Sequence, residues 1–397
     1  MILRTLPPVH SPITFGAVAR GWSGLLGDGD SSLAGARALL LDQYGARDVL
    51  LTDSGTSALA LALGLAGSLR PERRRVALPA WGCYDLATAA DAADTGVVLY
   101  DLDPVTLGPD WASLDRALAT EVSAVVAVHF YGVPVNLPEV TRRAISAGAL
   151  VIEDAAQAAG ATLGGRRAGA CGALGVLSFG RGKGWTGGGG GALLLNPAAP
   201  TDLRLPQAGT LAAPTGGAGA AMKLTAQWLL ARPGLYALPA ALPFLRLGQT
   251  VYHPPSTPAR MSGAEAAVLL GTASLQQPEA ERRRAHAGRL QHAVQAVGAG
   301  GIPRGWEGGV EGWLRLPVLP TDATLRRART HAARGLGIMP GYPIPLARLP
   351  GFGRRILDGP VALPGAEELA ARLHTLPVHG QVTLGDLQRI EHWLGLD

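Results

Sequence analysis

Short apolar runs alternate with helix-like segments between about residue 49 and residue 196. Runs this short and continuously apolar are typical of strands buried on both faces, and the intervening segments are long enough for crossover helices. Two of these segments, after Thr52 and after Asn136, have helical spacing. The pattern predicts an α/β fold with a largely parallel central sheet, whose strands are DVLLT, RVALP, GVVLYD, AVVAVHF, ALVIED, LGVLSF and GALLLN.

The pattern changes after about residue 250. Residues 263–298 are typical of a helix pair or one long bent helix, and the last part of the chain mixes short strands with helices. We therefore predict a large domain over residues 1–250 and a smaller C-terminal α/β domain over residues 251–397. The proline-containing stretch YHPPSTPARMSG would join the two domains.

The composition excludes several classes of function. Of the 397 residues, 47% are apolar and 16% are charged, which is typical of a globular protein. The net charge of +5 comes from dispersed arginines, so we predict no nucleic-acid partner. The most apolar region, residues 220–248, is interrupted by charged residues and prolines. It is therefore too broken for a membrane span, and buried or interfacial helices are expected there.

The two cysteines, Cys83 and Cys171, are too few and too far apart in sequence for a metal cluster or a disulfide framework. No spacing of His, Asp and Glu indicates a metal site either. The first residues lack the long apolar core of a signal peptide. These features predict a cytoplasmic protein without a metal.

Residues that follow the predicted strands are the candidates for chemistry, because ligands of parallel α/β sheets bind beyond the carboxyl ends of the strands. Ser-Gly-Thr at residues 54–56 precedes a helix and would offer N–H groups and a hydroxyl to a phosphate, or would only cap the helix. Glu153 and Asp154 end a later strand, with side chains on opposite faces. Gln157, three residues after Asp154, also fits a helix-capping pair.

One lysine, Lys183, lies inside the glycine-rich stretch SFGRGKGWTGGGGGALLLN at residues 178–196. A P-loop would have a glycine upstream of the Gly-Lys pair and a Ser or Thr after it, where this chain has Leu177 and Gly184. A dinucleotide-binding loop leads into a helix, whereas these glycines precede a strand-like run. Neither phosphate-binding template fits.

A pyridoxal phosphate (PLP) site accounts for these residues together. This cofactor needs a lysine for covalent attachment, a carboxylate that keeps the pyridine nitrogen protonated, and hydroxyl and N–H groups around its phosphate. Lys183 and Asp154 would provide the first two, and Gly55, Thr56 and Ser178 the third. The glycines around Lys183 would give the lysine loop freedom to move.

Four stretches of the chain resemble, in order, the successive motifs of the DegT/StrS family of PLP-dependent sugar-nucleotide aminotransferases. The resemblance covers residues from about 45 to 200 and from about 325 to 395. Family membership would imply the aspartate aminotransferase fold, also called fold type I. The stretches are LTDSGTSALALAL, VHFYGVPVNLPEV, VIEDAAQAAGATLGGRRAGACGALGVLSFGRGKG and GAEELAARLHTLPVHGQVTLGDLQRI.

The resemblance implies a role for each candidate residue. Lys183 would hold PLP as an internal aldimine, Asp154 would face the pyridinium nitrogen, and Gln157 would lie near the ring oxygen. The phosphate would be bound by the three remaining residues, Gly55, Thr56 and Ser178.

Some positions depart from the family pattern. Relatives stack an aromatic ring on the cofactor from the loop after the second strand. The matching position in this chain is Cys83. Trp81 and Tyr84 lie close by in sequence, and each either stacks on PLP or packs in the core. Glycines 187–191 stand where many relatives carry an acidic residue that can bind sugar hydroxyls. Residues 205–257 replace the usual segment that reaches the partner subunit's phosphate site, so no partner phosphate ligand is assigned.

The resulting prediction is an aminotransferase that moves an amino group from an amino acid, glutamate or glutamine, to a ketone, with a nucleotide-linked keto-sugar as the expected acceptor. Alternatives are a PLP-dependent sugar dehydratase or other carbanion chemistry, and a non-catalytic regulatory protein with the same fold. Relatives that dehydrate sugars tend to carry histidine in place of the lysine, so Lys183 favours transamination. The resemblance also implies a homodimer.

Overall fold

Seven strands of five residues each form the main sheet of the computed structural model, which describes residues 4–25, 27, 29–214, 217–230, 232–236, 251–359 and 361–396. Each strand coincides with one of the seven predicted runs, so this part of the prediction is confirmed. The strands are β1 (Asp48–Thr52), β2 (Arg75–Pro79), β3 (Gly96–Tyr100), β4 (Ala124–Val128), β5 (Leu150–Asp154), β8 (Leu174–Ser178) and β9 (Gly191–Leu195).

The strand order in this sheet is β1-β9-β8-β5-β4-β2-β3. Strands β3, β2, β4, β5 and β8 pair in parallel, as predicted. Strand β9 runs antiparallel to both of its neighbours, β1 and β8. The start of β9 therefore lies at the same edge of the sheet as the ends of β1 and β8, with Gly191 opposite both Thr52 and Ser178.

Helices cover the main sheet, and three of those described up to residue 230 begin at a side-chain cap, namely Gly55–Leu69, Trp111–Leu118 and Leu137–Ser146. The predicted helix after β1 is confirmed and starts beyond Ser54, whose side chain accepts a hydrogen bond from the Ser57 N–H. Two helices at the start of the chain were not predicted. The helices up to residue 230 are α1 (Phe15–Leu25), α2 (Gly29–Tyr44), α3 (Gly55–Leu69), α4 (Asp85–Ala92), α5 (Trp111–Leu118), α6 (Leu137–Ser146) and α7 (Gly217–Leu230).

The second half contains the predicted helix pair, α8 (Gly263–Thr272) and α9 (Gln276–Ala296), separated by one 3₁₀ turn. A smaller antiparallel sheet follows, with the order β10-β12-β14-β13. Its strands are β10 (Gly300–Gly301), β12 (Leu316–Pro320), β13 (Met339–Pro340) and β14 (His374–Leu376), and its helices are α10 (Asp322–Ala328), α11 (His331–Gly335), α12 (Pro364–Arg372) and α13 (Leu384–Leu394).

Two features connect the halves of the chain. A three-stranded sheet joins β11 (Gly309–Val310) to β6 (Thr162–Leu163) and β7 (Arg166–Arg167). Helix α8 packs against α1 and α2 although it lies beyond residue 250. The division into residues 1–250 and 251–397 stays a prediction.

One hydrophobic cluster runs through both sheets and includes residues from Leu6 to Leu394. Within the described ranges, no helix combines the length and the apolar character that crossing a membrane requires. Part of the apolar region 220–248 forms the end of α7, and its residues 237–248 lie outside the described ranges.

Candidate active site

A cavity of about 860 Å³ opens at the edge of the main sheet where β1, β5 and β8 end. Parallel strands place their carboxyl ends together there, and helix α3 points its N-terminus at the same edge. Five of the predicted cofactor residues line this cavity, namely Gly55, Thr56, Gln157, Ser178 and Lys183. The structure therefore brings together residues that are separated by up to 128 positions in sequence.

Lys183 lies in the loop that connects β8 to β9. The loop is held closed where the Phe179 carbonyl accepts hydrogen bonds from the Thr186 hydroxyl (2.9 Å) and the Gly187 N–H (3.0 Å). Trp185 is buried beside it, and its Nε1–H donates to the Leu269 carbonyl at 3.2 Å. The amine of Lys183 has no hydrogen-bond or salt-bridge partner among the described residues. The lysine is thus carried on an anchored loop with its charge directed to the cavity.

The glycines of this loop serve close packing. Gly182 has a φ of +80°, which disfavours any other residue, and a side chain there would come within 2.6 Å of Val9. Its N–H donates to the Ser11 hydroxyl at 2.7 Å. We predicted that the glycines give the lysine loop freedom to move. The structure offers a competing reason for Gly182, because its contacts with Val9 and Ser11 fix the backbone directly before Lys183.

Asp154 ends β5 and is 8% exposed. Its Oδ1 accepts a hydrogen bond from the Ala156 N–H (2.9 Å) in a turn, and no helix follows, so the helix-capping alternative is wrong. Burial raises the pKa of Asp154, while the Ala156 N–H and the positive charge of Lys183 oppose this rise. Asp154 is not among the cavity-lining residues, but its carboxyl group interacts with the Lys183 charge.

The neighbouring Glu153 is fully buried on the other face of the strand. Its carboxylate accepts hydrogen bonds from the N–H groups of Gly169, Cys171 and Gly172 at 2.7–2.8 Å, and from His129 Nε2 at 2.9 Å. Burial alone raises the pKa of Glu153, but the His129 and backbone hydrogen bonds lower it below its ordinary value. Glu153 therefore holds the loop at 169–172 against the sheet.

The start of α3 and the end of β8 make one face of the cavity. Gly55 lies so close to Ser178 that a Cβ at residue 55 would be 2.7 Å from the Ser178 Cβ. This approach places the Ser178 hydroxyl beside the first N–H groups of α3, where the helix dipole favours an anion. Gly55, Thr56 and Ser178 thus lie together at the start of α3, and their binding of a phosphate group stays a prediction.

Gln157 connects two tyrosines at the cavity. Its Oε1 accepts a hydrogen bond from the Tyr131 N–H (3.1 Å), and its Nε2 donates to the Tyr342 hydroxyl (2.7 Å). The two tyrosine rings lie at 13° to each other with centroids 6.0 Å apart. Tyr131 and Tyr342 line the cavity and were not predicted.

The predicted stacking residues, Trp81 and Tyr84, are buried and are not among the lining residues. The Trp81 Nε1–H donates to the Tyr342 carbonyl (2.7 Å), and the Tyr84 hydroxyl accepts from the Ile344 N–H (3.1 Å). Both side chains thus support the segment that carries Tyr342. Their contact with a cofactor stays a prediction, whereas the aromatic rings at the cavity in this region are those of Tyr131 and Tyr342.

Sequence reasoning missed two further contributors to the cavity. The chain's first described segment lines it through residues 7–9, Ser11 and Ile13, and Arg315 lines it from the start of β12. No motif marks either one. The sequence signal nearest to Arg315 is its place directly before an apolar run, LPVLP.

The chain belongs to the DegT/DnrJ/EryC1/StrS aminotransferase family. The family profile matches residues 30–213 and 239–394, which include all of the candidate site residues named above from Gly55 to Tyr342. The family predicted from four sequence motifs is therefore confirmed.

Two curated relatives illustrate this similarity. The L-glutamine:2-deoxy-scyllo-inosose aminotransferase of Micromonospora echinospora is 32% identical over 248 residues, which are 62% of this chain and 53% of that protein. In this alignment the chain spans about half the length of the relative. The enzyme of the same name from Streptomyces fradiae is 28% identical over 97% of this chain and 92% of its own length.

Among solved structures, AtS13 from Actinomadura melliaura has the same fold as this chain. The TM-score is 0.75 at 21% sequence identity, with 98% of each chain covered. The predicted fold type I, with a large and mostly parallel central sheet, is confirmed.

Proposed function

We propose that the protein is a PLP-dependent aminotransferase that moves an amino group from an amino acid, glutamate or glutamine, to a keto group on a sugar-like acceptor. The observation that carries this proposal is the position of Lys183. Its amine lies in a cavity at the strand ends, interacts with the charge of the buried Asp154, and shares the cavity with a helix N-terminus. Membership of the aminotransferase family supports the same function.

The residues present fit PLP by their chemistry. Lys183 supplies a primary amine for attachment, Asp154 a buried carboxyl group for the ring nitrogen, and Ser178 with the start of α3 a site for the phosphate. When bound, this cofactor supplies an electron sink for the charge that develops when a proton leaves the donor's α-carbon.

Each residue has a defined task in the proposed reaction. Lys183 accepts and returns protons at its Nζ, for which its lack of a partner among the described residues leaves the amine available. Asp154 would keep the cofactor's ring nitrogen protonated, and its carboxyl group is shielded from water for this task. Gln157 fixes the Tyr131 backbone and the Tyr342 hydroxyl, so that the wall facing the substrate keeps its shape.

The acceptor is proposed from the relatives. The two relatives above are named for action on 2-deoxy-scyllo-inosose, a keto-cyclitol, and the family resemblance indicated a nucleotide-linked keto-sugar. Both acceptors share a ketone on a hydroxylated six-membered ring, and this shared chemistry is the substrate class proposed here.

The two free cysteines, Cys83 and Cys171, support a cytoplasmic location.

The test compares Lys183→Ala with Lys223→Ala, since Lys223 is a second lysine that lines the same cavity. Each protein is incubated with PLP, and the visible absorbance of the attached cofactor and the transfer of the amine from glutamine or glutamate to a keto acceptor are measured. We expect Lys183→Ala to lose both the absorbance and the transfer, and Lys223→Ala to keep the absorbance.

Retention of the absorbance by Lys183→Ala would contradict the assignment of the lysine. A wild-type protein that attaches PLP but whose absorbance no amino acid changes would contradict the proposed transamination.

A further inference from the structure

Arg315 brings to the cavity a positive charge that forms no ion pair with a described carboxylate. It is half-buried at the start of β12, and its one hydrogen bond to a described residue is a long contact of 3.5 Å from Nη1 to the Thr375 hydroxyl. None of the described Asp or Glu side chains forms a salt bridge with it. Since partly buried cations are usually paired, the guanidinium group is available for an anionic ligand.

The described titratable groups on which the charge of Arg315 acts are three phenols and one imidazole, those of Tyr131, Tyr236, Tyr342 and His379. The positive charge of Arg315 acts on the Tyr131 and Tyr342 hydroxyls, both of which line the same cavity. Burial is the largest influence on each group and raises the pKa of both phenols above their ordinary value, so both are protonated at neutral pH. The cluster formed by Arg315 and Tyr342 therefore contains donors and no negative charge.

The Tyr342 hydroxyl can still donate one hydrogen bond. Its hydroxyl oxygen accepts from the Gln157 Nε2 at 2.7 Å, which fixes the oxygen and leaves the hydroxyl hydrogen for another acceptor. A ligand that accepts from a planar guanidinium group and from a neighbouring O–H fits this pair. A carboxylate has that shape and charge.

The cofactor's phosphate, the other anion expected in the cavity, has a separate proposed site. Gly55, Thr56 and Ser178 form the phosphate site at the end of the main sheet, whereas Arg315 and Tyr342 come from the segment that contains the small sheet. The anion at Arg315 is therefore a second one, carried by a substrate.

We propose that Arg315, with the Tyr342 hydroxyl, binds the α-carboxylate of the amino donor. This proposal rests on the proposed aminotransferase function. An amino acid carries its α-carboxylate unchanged through the transfer of its amine, whichever acceptor follows. A keto-cyclitol or the sugar ring of a keto-sugar carries none, so a fixed guanidinium group separates donor from acceptor in one shared cavity.

The experiment uses PLP-loaded wild type, Arg315→Gln and Arg181→Gln, since Arg181 is an exposed arginine that lines the same cavity. The conversion of the cofactor by L-glutamine and L-glutamate is followed by absorbance as a function of donor concentration. We expect Arg315→Gln to raise the half-saturating donor concentration by about 10- to 100-fold, as is usual for the loss of a hydrogen bond to a charged group. Arg181→Gln should change it less than about threefold, which is the ordinary size of a surface effect.

A second measurement separates carboxylate binding from a general disturbance. Wild type should react more readily with glutamine than with 4-aminobutanamide, which is glutamine without its α-carboxylate, and Arg315→Gln should lose this preference. Loading with PLP and the half-saturating concentration of the keto acceptor should be the same in wild type and Arg315→Gln.

Several outcomes would overturn the proposal for Arg315. One is an unchanged preference for glutamine in Arg315→Gln, and another is a rise in the acceptor's half-saturating concentration alone, which would place an acceptor phosphate at this residue. If no amino acid reacts with the wild type, the proposed function fails first. Calorimetric binding of glutaramate, which has the carboxylate but no amine, then decides: equal affinity in wild type and Arg315→Gln overturns the assignment, and weaker binding in the variant supports it.

Discussion

Two adjacent carboxyl groups, those of Glu153 and Asp154, have different tasks because alternate residues of a strand face opposite sides of a sheet. Glu153 is surrounded by four hydrogen-bond donors and holds a loop in place, whereas Asp154 interacts with the charge of Lys183. A single residue step along β5 thus separates a structural carboxylate from the one that we propose for the cofactor's ring nitrogen.

The variant Glu153→Gln should lower the free energy of unfolding by about 3–5 kcal/mol, because its amide cannot accept all of the hydrogen bonds directed at this buried group. Urea unfolding at neutral pH measures the loss. The control is Glu139→Gln, which alters a carboxylate at the surface of α6 that pairs with Arg142 and Arg143. A control as destabilised as Glu153→Gln would contradict the assignment.

This comparison also depends on pH. The pKa of Glu153 is lower in the folded chain than in the unfolded chain, so its stabilising effect is complete above the unfolded value of about 4.3 and is lost as the pH falls through the folded value. Wild type and Glu153→Gln should therefore become more similar in stability under acid conditions. A difference that stays constant down to acid pH would contradict this origin.

The candidate residues found from sequence follow predictable strands, although Tyr131, which follows β4, was missed. Lys183, Asp154 and Ser178 end or follow such strands, and a parallel sheet collects its strand ends. Tyr342 and Arg315 come from the antiparallel small sheet, where no such rule applies, and their presence in the cavity depends on packing between distant segments. Trp81 was considered for stacking because aromatic residues suit both a core and a flat ligand, and sequence alone does not separate the two.

At the scale of elements, the start of α3 determines the geometry of the proposed phosphate site. The helix begins where its backbone passes close to β8, and residue 55 has no room for a side chain. The same helix contains Gly64 in its interior, where a Cβ would meet no atom within 4 Å. Close packing against Ser178 therefore requires a glycine at residue 55, whereas packing does not require one at residue 64.

Gly55→Ala should destabilise the protein by about 1–3 kcal/mol through overpacking against Ser178 and should weaken PLP binding. Gly64→Ala should leave PLP binding unchanged and stabilise the protein by about 0.5–1 kcal/mol, since alanine is the better helix former. Urea unfolding and titration with PLP followed by absorbance measure both effects. Equal behaviour of the two variants would show that the close approach at residue 55 has no role.

The main-sheet strands could be predicted from sequence because each is a short apolar run bounded by turns. The reversed direction of β9 could not, since a buried antiparallel strand between two neighbours has the same apolar pattern as a buried parallel one. Helix α2 escaped prediction because apolar residues are spread around it, so no single stripe marks its buried face.

At the scale of the whole molecule, the first segment of the chain connects the cavity to the small sheet. Arg4 pairs with Asp386 at 2.9 Å, and His379 donates a hydrogen bond from Nε2 to the Pro7 carbonyl at 2.8 Å. Ser11 of the same segment accepts from the Gly182 N–H beside Lys183. The lysine loop is thus linked through this segment to the part of the chain that carries Arg315.

We predict that the protein is a homodimer, as the family resemblance implies. Large apolar side chains, including Phe15 and Met222, are exposed on the neighbouring helices α1 and α7 and are available for an interface. Light scattering should give twice the chain mass of 40.8 kDa. Phe15→Asp should lower the dimer fraction, and Ile145→Asp, on the exposed face of α6, should not. A wild-type mass of one chain would contradict the prediction.

The path of the first segment also bears on what a shortened variant would lose. Pro7, Val9, Ser11 and Ile13 form part of the cavity wall, so a variant that lacks residues up to Ile13 would keep every strand of the main sheet and Lys183. The side of the cavity that these residues form would then be open to bulk water. Water at Lys183 would compete with an amino acid for whatever the lysine binds, although no residue of the sheet had changed.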